Sequence, residues 1–218
     1  MKKIVIIGGV GNGTVISSTI EDCKRSGQDI ECVGFLNDNE IKVDDYDVLG
    51  GIKNMDWKKL PSDYFFIYAL SSAKQAYTRH ELLNELAIPL DRFATIIHPT
   101  AVVSDHVSLG RGVAIMPQAF VSPGVRLGNH SQLFAQGFIG HNTIIGEMVL
   151  LTANSHTGSW VVIEDGAHIG IMSTSIERVT IGEYSILGAS AVVIRDVPKY
   201  AMVVGNPAKV LRKINPGD

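Results

Sequence analysis

The chain has 218 residues, 45% of them hydrophobic, which is enough for one domain or two small ones around a substantial core. Its formal net charge of −3 argues against a general nucleic-acid or membrane-surface binder, since both normally present a basic face. Lys2 and Lys3 precede only the short apolar run Ile4 to Ile7. That run is too short for a signal-peptide core, and no later segment approaches the length of a membrane span, so a soluble cytoplasmic protein is expected.

The opening third reads as alternating strands and helices. Lys3 to Ile7 is a β-like run ending in the turn Gly8-Gly9-Val10-Gly11-Asn12-Gly13. A helix carrying Ile16, Ile20 and Cys23 on one face follows, stopping at Gly27. Glu31 to Leu36 and Tyr64 to Leu70 read as further strands, and a second helix bears Leu82, Leu83 and Leu86. Such alternation implies a small, Rossmann-like parallel sheet. Ligands of these sheets bind beyond the carboxyl ends of the strands, here the glycine turn, Asn37-Asp38 and Ser71-Ser72. The turn suits a phosphate held at a helix N-terminus, although its spacing departs from the dinucleotide pattern G-x-G-x-x-G and a purely structural tight turn is the alternative. Cys23 and Cys32, the only cysteines, are not spaced like a metal site and read as small core residues.

From Ile97 the chain keeps a six-residue beat. Ile97, Val103, Leu109, Ile115, Val121, Leu127, Leu133, Ile139, Ile145, Leu151, Thr157, Ile163, Ile169, Ser175, Ile181, Leu187 and Val193 follow one another without insertion, and all but Thr157 and Ser175 are aliphatic. Two residues before each lies a small or β-branched residue, such as Val113, Ala119, Ser155 or Ala191, expected near a tight corner. Leu109-Gly110, Leu127-Gly128, Ile145-Gly146 and Ile181-Gly182 recur at multiples of 18 residues. Neither a helix of period 3.6 nor an alternating strand of period 2 gives this beat. A three-sided coil of short parallel strands does, with the aliphatic residues inside and each coil stable only when stacked on others. The polar stretch Asn154-Ser155-His156-Thr157-Gly158-Ser159 breaks the pattern, as functional sites often do, and a loosened coil is the alternative. Beyond the repeat, Pro198 and Pro207 predict an extended tail that leaves the coil. The expected division is an α/β domain over residues 1–92 and a repeat domain with its tail over residues 93–218.

The opening "IVIIGGVGNG", the hexads with "FIGHNTIIGE" at residues 138–147, and the tail "GNPAKVLR" at residues 205–212 together resemble the hexapeptide-repeat acyltransferases. The resemblance is closest to the branch of sialic-acid O-acetyltransferases and N-acetyltransferases of bacillosamine- and perosamine-type sugars. It implies a left-handed parallel β-helix, a homotrimer with active sites between subunits, acetyl-CoA as co-substrate, and a nucleotide-linked amino sugar as acceptor. It also implies that His141 is the general base for direct attack of the amine on the thioester, without a covalent enzyme intermediate; an imidazole titrating near neutrality suits that task. Related enzymes commonly follow this histidine with a carboxylate, whereas this chain has Asn142, which can orient the ring but cannot stabilise its charged form.

By the same resemblance, the pantetheine arm of CoA would pass Gly170, Ile171, Gly188 and Ala189 on backbone groups, with the nucleotide end of CoA near Gly205 and Lys209. Lys209 is equally well read as a solvated lysine. Backbone near Gly158 and Ser159 is a candidate oxyanion donor. The sugar nucleotide would lie over Gly11, Asn12, Asn37, Asp38 and Ser71, with His156 a candidate substrate contact. His98, His106, His130 and His168 read as surface or corner residues, and no metal is expected, because no histidine pair stands five residues apart as zinc-dependent relatives of this fold require. The readings left standing beside N-acetylation are O-acetylation of a sugar hydroxyl and a non-catalytic binding module of the same fold.

Overall fold

Strand β1 (Lys2–Ile7) is apolar on both faces because both are covered, and Ile4 to Ile7 have no exposed surface. The structure, a computed structural model, describes residues 1–53, 55–70 and 76–215. After β1 come α1 (Asn12–Arg25), β2 (Ile30–Leu36), β3 (Lys42–Val43), β4 (Tyr46–Gly50), β5 (Tyr64–Tyr68) and α2 (Ala76–Glu85). The strands form one sheet in the order β3-β4-β2-β1-β5, parallel except for the β3–β4 hairpin. That hairpin was not anticipated; its segments are short and acid-rich, and only Val43, Tyr46 and Val48 turn towards the core. Helix α1 buries Ile16, Ile20 and Cys23, the expected face, and burial raises the thiol pKa of both cysteines, that of Cys32 to about 12.

From Ile96–Ile97 (β6) to Val192–Val193 (β22) the chain forms two-residue strands at the six-residue interval. They stack into three parallel sheets, hereafter face 1 (starting with β6), face 2 (starting with β7, Val102–Val103) and face 3 (starting with β8, Ser108–Leu109). Every member of the aliphatic series from Ile115 onward is buried, and so is every member of the small series from Val113 onward. The small residues therefore belong to the interior as well as flanking the corners. Between strands the third residue after each inward one takes a left-handed conformation, as at His106, Gln118, Asn142, Trp160 and Arg178, with φ of 54 to 64°. Such a conformation costs roughly 1–2 kcal/mol for a non-glycine residue, and it is held by coil-to-coil hydrogen bonds such as that from Trp160 N–H to the His141 carbonyl, 3.0 Å. The 18-residue glycine signal has a steric cause: a Cβ on Gly128 would collide with the backbone of Gly146 in the next coil.

Two expectations change. The tail does not leave the coil. Ala201–Val204 (β23) adds to face 1 beside Ile186–Leu187, and Lys209–Lys213 (β24) returns antiparallel to it, since coil backbone left unpaired at the end of face 1 is a template for one more strand. Nor is the polar stretch loosened. Thr157 stays paired with Ile139 and is buried, and the Gly158 N–H donates to Ser175 O at 3.0 Å and Oγ at 3.4 Å.

The N-terminal domain covers face 1 and the corner between faces 3 and 1. Ile16, Ile20 and Cys23 pack with Ile96, Ala114 and Met116, Gln132 Nε2 donates to the Tyr68 carbonyl at 2.5 Å, and His80 Nδ1 lies 2.7 Å from Tyr184 Oη. This buries histidines expected at the surface: His98, which bonds Asp22 at 3.1 Å, and His130, with His168 half-buried. Burial lowers the pKa of both His130 and His168 from 6.5 to about 4, with a smaller push from the His80 and Arg79 charges respectively. Between those limits the unfolded chain binds protons that the native chain refuses, so this contribution to stability is complete above pH 6.5 and is lost as pH falls towards about 4. Urea denaturation over that pH range should give a shallower pH dependence for His168→Gln than for the parent chain.

Candidate functional site

A residue placed outward at a corner is freed from core packing, and the hexad phase puts His141 there. It lies two residues after the buried Ile139, in the turn between Phe138–Ile139 on face 2 and Ile144–Ile145 on face 3. Both His141 and Asn142 are exposed. Asn142 takes the left-handed corner conformation, φ 60°, which asparagine tolerates better than most residues. Its Oδ1 lies 3.0 Å from His141 Nδ1. An amide oxygen only accepts, so this contact places the ring proton on Nδ1 and leaves the lone pair on Nε2. The His141 ring meets Trp160 edge-to-face at 4.4 Å between centroids, and the Arg178 guanidinium lies 4.2 Å from the Trp160 ring centroid.

Gly158 and Ser159 occupy the same corner one coil on. The Gly158 N–H is engaged by the Ser175 carbonyl and hydroxyl. Gly170, Ile171, Gly188 and Ala189 lie at a different corner, between faces 1 and 2. There the N–H groups of Gly170 and Gly188 donate to Leu187 and Val203, and their carbonyls accept from Ser173 and Ala191. The glycines thus let the coils close, and of these four residues Ile171 and Ala189 are the exposed ones. Face 2 separates the two corners. His156 projects from it beside Phe138, whose ring stacks on Phe120 at 5.7 Å. Gly205, φ 96°, and exposed Lys209 flank the turn of the β23–β24 hairpin.

In the N-terminal domain Gly11 precedes α1 and Asn12 begins it. Asn37 is engaged at both ends of its amide: its Nδ2 donates to Gly8 O at 3.2 Å and its Oδ1 accepts from Asn39 and Glu40 N–H. Asp38 Oδ1 accepts from Ile52 and Lys53 N–H at 2.7 and 3.2 Å. Both side chains therefore shape the loop beside the glycine turn. Ser71 lies outside the described residues. Sequence reasoning missed Trp160 and Arg178, whose 19- and 18-residue offsets along one corner column were the available signal. Among the described residues, no group of three or more histidines, cysteines or acids could hold a metal ion, and no helix is long and apolar enough to cross a membrane.

The site turns on Gly140, where a Cβ would collide with the Gly158 carbonyl. Gly140→Ala should lower stability by about 1–3 kcal/mol, as forced overpacking does, read as a drop in the urea midpoint with the far-ultraviolet circular dichroism retained.

Residues 3–86 match the PglD N-terminal domain family. Along 97% of its length the chain is similar to the whole acetyltransferase domain of PglB from Neisseria gonorrhoeae FA1090, at 26% identity and a TM-score of 0.83; that domain has also been solved with acetyl coenzyme A. It is similar over 96% of its length, and 97% of the other chain, to a histidine-to-alanine variant of GDP-perosamine N-acetyltransferase from Caulobacter crescentus in complex with CoA and GDP-perosamine, at 26% identity and a TM-score of 0.64. Over 49 residues, 22% of this chain, it is 45% identical to the dTDP-3-amino-3,6-dideoxy-alpha-D-galactopyranose 3-N-acetyltransferase of Aneurinibacillus thermoaerophilus; the match spans about a quarter (26%) of that relative's length.

Proposed function

We infer that this chain, which belongs to the hexapeptide-repeat acetyltransferase family, moves an acetyl group from acetyl-CoA to the amine of a nucleotide-linked amino-deoxy sugar. The observation that carries this reading is the His141 corner: an exposed imidazole whose Nδ1 is tied to Asn142, leaving Nε2 without that partner, on a chain built along nearly its whole length like the acetyltransferase domain of PglB and GDP-perosamine N-acetyltransferase. The amine nitrogen attacks the thioester carbonyl, Nε2 takes the nitrogen's proton, and the carbon–sulfur bond breaks to release CoA, which then takes up a proton. Holding the two reactants together supplies much of the acceleration, so no acyl-enzyme is needed.

The acceptor's nucleotide would rest at the loops around Gly11, Asn12, Asn37, Asp38 and Ser71. Asn37 would act by shaping the loop, and Asp38 through the oxygen that Ile52 and Lys53 leave. The pantetheine would pass Ile171 and Ala189, with Gly205 and Lys209 towards the nucleotide end of CoA. His141 sits on the edge opposite the face that its own N-terminal domain covers. A neighbouring copy is therefore needed to bring acceptor and base together. The outward ladder Val102, Phe120 and Phe138 on face 2, 52%, 38% and 38% exposed, is an apolar surface for that neighbour, in keeping with a homotrimer.

Incubation with acetyl-CoA and a panel of nucleotide-linked amino sugars, read by mass, tests the reaction. A product stable to mild base is the expected amide; a base-labile product would be an ester and would replace this reading with O-acetylation. His141→Asn should lower kcat by about 10²–10⁴-fold, the usual worth of a general base, with no change in assembly on size exclusion. Asn142→Asp, which supplies the missing carboxylate in a corner conformation that aspartate tolerates, should move the acidic limb of the kcat/KM–pH profile to higher pH, because a nearby negative charge favours the protonated imidazole and the base must be neutral to act.

A further inference from the structure

The column that carries His141 continues into residues that the chemistry above does not use. Trp160 places an indole, 42% exposed, at a corner, with φ 54°. Left-handed backbone is the rule at these corners, Met172 and Tyr184 included, and the core requires no indole at this one. Its indole meets the His141 ring at 4.4 Å and 81°, while the Arg178 guanidinium stands 4.2 Å from its centroid. Trp160 N–H donates to the His141 carbonyl and Arg178 N–H to the Ser159 carbonyl, each at 3.0 Å, so the three residues come from three successive coils and the indole is the middle layer.

An exposed histidine turns freely about χ1 and χ2 unless contacts in two directions oppose it. The Asn142 amide engages one ring atom, at Nδ1, and on an exposed corner a single such bond opens to water unless a second contact holds the ring against it. The indole is the second contact, set nearly perpendicular to the ring. The guanidinium is the weight behind it, since a cation against the indole is attracted by the ring quadrupole and restrains the indole in turn.

We propose that Trp160 is a positioning residue for the His141 imidazole, backed by Arg178, holding Nε2 in the direction of the incoming amine. This rests on His141 being the base, so the test includes a readout that does not depend on turnover. In the full chain, nitrogen-15 NMR of the histidine side chains should show His141 as a single Nδ1-protonated tautomer. Trp160→Leu should convert it to an averaged mixture. Trp160→Leu should also lower kcat about tenfold, with both KM values held within about twofold, because a misdirected base costs turnover and not binding. Trp160→Phe, which keeps an aromatic wall, should restore the tautomer signature and most of kcat. Arg178→Gln should give an intermediate loss, and it serves as the informative variant if Trp160→Leu does not fold.

An unchanged tautomer signature in Trp160→Leu would overturn the proposal. So would a rise in KM with kcat intact, which would make Trp160 a wall for substrate. If the parent chain acetylates no amino sugar while the tautomer signature responds as expected, the positioning role stands and the acetyl-transfer reading is the one that fails.

Discussion

Coil-on-coil registry is the constraint on which the rest of the molecule depends. Each inward residue sits on the one 18 positions before it, Val121 under Ile139 and Ile139 under Thr157, and each backbone N–H of a strand finds its carbonyl in the adjacent coil. Burial at about 1.5–3 kcal/mol per aliphatic side chain offsets the left-handed corners that closing a three-sided coil demands. An insertion of a single residue would turn the interior set outward, which is why the beat runs from Ile97 to Val193 unbroken.

The same registry makes corners into columns. Residues 18 apart stand directly over one another, as Trp160 and Arg178 do, while His141 meets Trp160, 19 residues on, through the direction its side chain takes at the corner. The outward residues of a corner take no part in the interior and are therefore free to be polar or aromatic. Faces behave differently. Face 1 is spent on the N-terminal domain, whose α1 packs on Ile96, Ala114 and Met116, while face 2 keeps its outward phenylalanines uncovered within the chain. The proposed reaction divides along this line, with the acceptor loops on one side of the prism and the proposed base on the opposite edge, and so it calls for a second copy.

Much of this was legible before any coordinates. The inward series, the glycine spacing and the outward phase of His141 all follow from counting, because a repeat repeats its environment. The first helix was legible from Ile16, Ile20 and Cys23 for the same reason. What misled was composition read locally. His130 and His168 look like surface residues, as histidines in a coil of turns should, yet they lie beneath another domain. The N–H groups of Gly158, Gly170 and Gly188, beside which the resemblance places CoA, are engaged in the ladder. Pro198 and Pro207 read as an extended tail leaving the coil, yet they bracket a strand that extends face 1.

The sequence by itself determined the prism, its register and which residue of each hexad faces outward, because side-chain burial in a solenoid is a function of position modulo six. It also supplied the pairing of that prism with a parallel α/β sheet. Only the tertiary structure decided which face the N-terminal domain would cover, that Asn142 would take the ring proton's hydrogen bond, and that an indole would stand against the imidazole. Those outcomes depend on contacts between residues far apart in the chain and on side-chain directions around a corner, and no periodicity encodes either.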